Sequence, residues 1–190
     1  MLKIVASKFV LTVERVAARA RTNRFVRARD GAAAVEFALV AAPFLALLFA
    51  IMETAFVFFA SQSLEYAVAK SARLILTGQA QTAGFSQDAF KTAVCDNIVA
   101  LFDCSNKLYV NVQNFSTFAS ASTTPPYNGS GQLDTSQMKY QPGVPGDIVV
   151  VSLYYEWPIY VSLFSDSLAN QSGSNRLLVA TAAFRNEPYQ

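Results

Sequence analysis

One stretch limits what this chain can fold into: Gly31 to Ala60, GAAAVEFALVAAPFLALLFAIMETAFVFFA. From Phe37 to Met52 it carries no charge, and from Ala32 to Ala60 only Glu36 and Glu53 are charged. A helix rises about 1.5 Å per residue, so about 20 residues cross a ~30 Å hydrocarbon layer. The stretch is long enough, and it shows no polar face. A buried core helix of a soluble protein would have the same composition, but its length and all-round apolarity favour a membrane span. Pro43 lies inside it, removes one backbone donor and is expected to kink the helix. In lipid such a kink is tolerated when neighbouring groups satisfy the freed carbonyl.

What precedes the stretch gives it a direction. Residues 1–30 hold eight basic residues (Lys3, Lys8, Arg15, Arg19, Arg21, Arg24, Arg27, Arg29) against Glu14 and Asp30. The rest of the chain is net acidic, so the overall charge of +2 hides a strong asymmetry. A basic block can bind nucleic acid. Directly before an apolar span it orients that span instead, with the N-terminus in the cytoplasm and residues 61–190 outside. A cleaved secretory signal has a shorter basic region than these thirty residues.

The helical pattern continues past the span. In SQSLEYAVAKSARLILT, Ser61 to Thr77, the residues Leu64, Ala67, Val68, Ser71, Leu74 and Ile75 share one face, while Glu65, Lys70 and Arg73 lie towards the other. That spacing predicts one helix from Ala32 to Thr77, apolar all round at first and then along one stripe. Gly78 is a natural stop. Ser86 caps a second predicted helix, 86–103, with Asp88 in its first turn. KLYVNVQNF (107–115), DIVVVSLYYEW (147–157) and RLLVATAAFR (176–185) read as strands. Residues 116–146, rich in Ser, Thr, Pro and Gly, read as a long loop. Helices followed by strands imply an α+β unit with a three-stranded antiparallel sheet lying on the amphipathic half of the long helix. The domain plan is a basic leader (1–31), a transmembrane segment (32–60) and an extracytoplasmic α+β domain (61–190).

Chemistry is sparse. With no histidine, the commonest general base and metal ligand is missing. Glu36 and Glu53 are 17 residues apart on one helix, about 25 Å along its axis, so they cannot act as a carboxylate pair within one chain. Asp134-Thr135-Ser136 matches only the start of a known metal motif, because Met138 stands where its last Ser should be. No catalytic residue, metal or cofactor is expected, and the chain does not read as an enzyme. Cys95 and Cys104 are spaced C-x8-C. In an oxidising compartment a disulfide is the simplest reading, and two buried free thiols are the alternative. A carboxylate in a membrane is a functional candidate by default. Glu36 near the inner interface could reach water, whereas Glu53, deeper, needs a partner or the outer interface.

Gly31-Ala-Ala-Ala-Val-Glu36-Phe37 resembles the processing site of pseudopilins in tight-adherence (Tad/Flp) type IV pilus systems. With the basic leader, the single span, the AVAKSAR run at Ala67–Arg73 and the closing Arg185-Asn186-Glu187-Pro188, the chain is similar to the TadE-like family. That resemblance implies a pilin-like fold and cleavage by prepilin peptidase between Gly31 and Ala32 on the cytoplasmic side of the bacterial inner membrane. Glu36 would become the fifth residue of the mature chain, able to pair with the new amine of a neighbouring helix and set the register. The resemblance further implies a minor pilin or assembly factor of adhesive, biofilm-forming pili. Its partners would be the inner membrane, other pilins and pseudopilins, and the Tad assembly platform, with no nucleic acid. The alternative is an uncleaved single-pass factor whose outer domain (residues 61–190) binds other pilus components. The globular domain makes the chain unlike a very short major pilin.

Overall fold

The computed structural model describes residues 31–98, 102–160, 169–171 and 175–189. The basic leader, residues 1–30, lies outside the described residues. The fold is α+β. Helix α1, Ala32–Leu76, is followed by α2 (Gln79–Thr82), α3 (Gln87–Cys95), α4 (Cys104–Lys107), strand β1 (Leu108–Phe115), β2 (Ile148–Pro158) and β3 (Asn175–Arg185). The chain divides into two units, residues 1–48 and 49–190.

The first unit, as described, is the opening of α1. Its alanine-rich start and freedom from glycine favour a helix. Pro43 is accommodated within it, leaving the Leu39 carbonyl without its usual donor four residues on.

The second unit is built on a stripe. From Glu53 onward α1 buries Glu53, Val57, Ala60, Leu64, Ala67, Val68, Ser71, Ala72 and Ile75, a run of three- and four-residue steps along one face. The apolar ones, from Val57 to Ile75, share one core with Leu108, Val110 and Val112 of β1, Val149, Val151, Leu153, Tyr155 and Trp157 of β2, and Leu178 and Ala180 of β3. Alternate residues of each strand point into this layer. Small residues at 60, 67, 71 and 72 let larger strand side chains settle against the helix. Fully burying a Val, Leu or Ile contributes roughly 1.5–3 kcal/mol, and three strands without the helix would lack that burial.

The sheet order is β1-β2-β3, antiparallel throughout, with Val112 opposite Val151 and Val151 opposite Ala182. The central strand is buried on both faces. On the face away from α1, Tyr154 and Leu177 pack with Leu133, Tyr109 and Met138. The expected loop 116–146 is therefore a structural cover for that face. It also closes the outer edge of β1, where the Val112 N–H donates to the Lys139 carbonyl and the Gln141 N–H donates to the Val112 carbonyl. Asn111, buried, fixes this strap by accepting from the Lys139 N–H at 3.0 Å. Gln87 of α3 covers the next edge carbonyl, Val110, at 2.8 Å. At the other edge the Asn170 side chain both donates to and accepts from the Leu177 backbone. Open backbone edges invite further strands, and these contacts blunt them.

The helix expected over 86–103 is shorter. Ser86 caps it, accepting from the Ala89 N–H, but the helix ends at Cys95 and turns through Ile98. Cys104 then opens α4, capped by Asp103. The short side-chain bonds from Asn106 hold the Asp103 carboxyl below its ordinary range. Asn97, whose amide bonds back to the Ala93 carbonyl, occupies a local turn that the apolar periodicity does not register.

The end of α1 is closed by the C-terminus. Gly78 adopts φ +76°, and the Glu187 N–H donates to the Leu76 carbonyl at 2.9 Å. A Cβ at Gly78 would overlap the Tyr189 ring. Both the left-handed backbone and this close approach require glycine. We expect Gly78→Ala to lower unfolding free energy by about 1–2 kcal/mol through the backbone alone, and by more with Tyr189 in place. Denaturant titration of Gly78→Ala, Tyr189→Ala and the double mutant separates the parts. Additive losses would mean the ring and Gly78 do not compete for space.

Tyr140 packs on Phe90 with ring centroids 5.7 Å apart. Its hydroxyl is buried without a partner among the described residues, and desolvation pushes its pKa up to about 12. A raised folded-state value favours the neutral phenol in the fold. Its contribution is complete below the unfolded value near 10 and is lost as pH rises through about 12. Tyr140→Phe should flatten the loss of stability across that window and cost little at neutral pH. An unchanged alkaline profile in denaturant melts would refute this.

Candidate membrane and assembly segment

The described part of the first unit is an exposed apolar helix surface. Val35, Phe37, Leu39, Val40, Phe44 and Leu47 are all more than half exposed, Phe37 reaching 74%. None of the most apolar window of α1 is buried. Water is a poor solvent for such a surface, and a contiguous patch of this size marks a membrane or protein contact. In length and composition α1 can cross a membrane.

Gly31, Ala32, Glu36, Phe37 and Pro43 fall together in this exposed helical opening. A Cβ built at Gly31 would meet no atom within 4 Å, and Gly31 is not among the glycines with positive φ. The local fold makes no demand for glycine there. Glu36 is exposed on the same helix, one residue before the most exposed phenylalanine.

Glu53 differs in every respect. It is 6% exposed, and its Oε1 accepts the Tyr160 backbone N–H at 2.6 Å. The sequence shows that Glu53 needs either the outer interface or a partner. It cannot name one, because the donor is a main-chain amide 107 residues away, just past the end of β2. Glu36 and Glu53 thus lie in different settings, one open to the surroundings and one turned into the protein.

Away from this helix, Cys95 and Cys104 form a disulfide that joins the end of α3 to the start of α4. Beside it, Phe102 stacks edge-on against Tyr155 at 4.7 Å and Trp157 at 5.8 Å, and the Asp103 N–H donates to the Tyr155 hydroxyl. The crosslink pins the α3–α4 connection onto the aromatic end of β2.

The tail also does more than its sequence shows. Asn186 is buried, its N–H donating to the Asp147 carbonyl and its side-chain amide donating to the Pro142 and Val144 carbonyls. Asp147 accepts from the Val144 N–H and from Asn114, and these bonds hold its carboxyl below the usual range. Arg185 Nε donates to the Gly146 carbonyl. Arg185, Asn186 and Glu187 therefore lock the β2 entry turn and the end of α1. Only the closing tetrapeptide hints at this role in the sequence.

Residues 31–73 match the family model described as TadE-like protein. The chain carries a TadE-like segment. It covers the exposed helical opening and most of the stripe that the sheet packs on. No curated protein and no solved structure matches the chain. Among the described residues, no cluster of histidine, cysteine and acidic side chains could hold a metal.

Replacing both cysteines by serine tests the crosslink. A disulfide that closes a loop with sequence separation 9 should contribute about 2–3 kcal/mol in the chain-entropy account. The double serine variant should unfold at correspondingly lower denaturant, and reduction of the wild type should have the same effect. Identical midpoints for oxidised and reduced protein would remove that role.

Proposed function

We propose that this chain is a minor pseudopilin of a Tad pilus, anchored in the bacterial inner membrane before it joins or primes the filament. The observation that carries the reading is the TadE-like match falling on a helix whose opening half is long, apolar and exposed. Lipid before assembly and neighbouring helices after it would each cover that surface.

In this reading the basic leader stays in the cytoplasm and the second unit folds in the periplasm, where the Cys95–Cys104 disulfide is stable. Prepilin peptidase cuts between Gly31 and Ala32. The absence of any local need for glycine at position 31 supports a demand from outside the fold, namely a peptidase site that admits only a small residue. The new amine at Ala32 lies near Glu36 of an adjacent helix, and in an apolar bundle that ion pair fixes the axial register. An unpaired carboxylate there would be costly, so register errors are disfavoured. The protein has a structural role, not an enzymatic one. Its partners are the membrane, the peptidase, other pilins and pseudopilins, and the assembly platform.

Mass spectrometry of the protein purified from its host should find a mature N-terminus at Ala32. An intact Met1 would favour the second reading, an uncleaved assembly factor acting through its outer domain. Gly31→Leu should block cleavage. Glu36→Ala should be cleaved normally yet fail to assemble, and normal piliation in that strain would remove the register argument.

A further inference from the structure

The charge-free run Phe37–Met52 covers about 24 Å at helical rise, short of a ~30 Å hydrocarbon layer by more than one turn. The next residue is Glu53, which an ionised side chain would ordinarily make the end of the apolar belt. The second unit removes that limit. The Glu53 carboxylate is turned into the protein and bonded to the Tyr160 amide. From Glu53 to Ala60 the exposed side chains of α1 are Ala55, Phe56 (47%), Phe58 (67%) and Phe59 (49%); the next exposed polar residue is Gln62 and the next exposed charge Glu65. The apolar exterior thus runs past Glu53 to Phe59.

The segment that covers Glu53 must share its depth. That segment is the end of β2 and its continuation, Pro158 to Tyr160. Tyr160 is 80% exposed, the most exposed large hydrophobic side chain of the described residues. A tyrosine places an apolar ring in lipid and its hydroxyl at the headgroups, which is why tyrosine and tryptophan gather at membrane interfaces. We propose that this end of the globular unit is seated in the bilayer interface, with Tyr160 as an aromatic anchor to lipid and the Glu53–Tyr160 bond holding it there. The inference rests on the reading of α1 as a membrane span, and it adds a second lipid contact made by the sheet. The domain is then docked on the membrane, not merely tethered to it.

Depth-dependent quenching tests this with the full chain in phosphatidylcholine–phosphatidylglycerol vesicles, with and without lipids brominated near the headgroup end of the acyl chain. Trp157 is the only tryptophan, and its indole N–H is buried without a partner among the described residues, so Trp157→Phe gives a silent background. In that background single reporters are placed as Phe44→Trp in the span, Tyr160→Trp at the proposed anchor and Tyr127→Trp on the loop that covers the far face of the sheet. Brominated lipid should cut emission at positions 44 and 160 by roughly half and leave position 127 unchanged, as expected of a span, an interfacial aromatic and a solvated loop. Quenching at 44 with none at 160 overturns the docking and leaves the span intact. No quenching at 44 overturns the span and the docking together. If the Trp157→Phe background does not fold, Tyr160→Cys labelled with a nitroxide replaces it, the native cysteines being held in their disulfide. Its collisions with oxygen should then exceed those with a water-soluble nickel chelate, and the reverse order overturns the proposal.

Discussion

The fold of the second unit depends on one interaction, the packing of the α1 stripe against the sheet. Without the helix, the apolar face that the three strands present to α1 would be open to water. The helix supplies the missing layer from Val57 to Ile75, and each strand answers it with alternate residues. The other devices protect this layer. The 116–146 strap covers the second face, Gln87 and Lys139–Gln141 cover the β1 edge, and Asn170 covers Leu177 on β3. The tail closes the end of α1 through the Glu187 N–H.

The same helix has a different solvent in its two parts. Before Glu53 its side chains are exposed or half-buried and, Glu36 apart, uncharged; after Glu53 one face is dry and the other carries Glu65, Lys70 and Arg73. Glu53 marks the change. A carboxylate at that point would be expensive in lipid and awkward in a core. The hydrogen bond from Tyr160 resolves both problems and brings the end of β2 to the helix. This gives the folded unit a defined attachment to the helix.

Much of this was legible in the chain itself. The α+β class follows from residue periodicity, and the strands lie within a residue or so of where alternation and β-branched content put them. Helix α3 is the exception. Its apolar spacing runs on past Cys95, but the helix ends there, Asn97 bonds back to the Ala93 carbonyl, and Asp103 caps a separate short helix, α4. Side chains that bond their own backbone leave no trace in hydropathy. The loop 116–146 was legible as irregular but not as a cover, because Leu133 and Met138 stand singly among polar residues.

The sequence by itself determined the long apolar helix, its amphipathic continuation and the basic-to-apolar boundary at Gly31. Each is a property of residues near one another in the chain, where charge, period and helical rise are additive. Only the tertiary structure decided what Glu53 binds, why Gly78 must be glycine and what Asn186 holds. Those partners, Tyr160, Tyr189 and the Pro142–Asp147 turn, are distant in sequence and act mostly through backbone groups or ring position. Every residue has a backbone, so residue identity does not disclose which amide or carbonyl will be met in space.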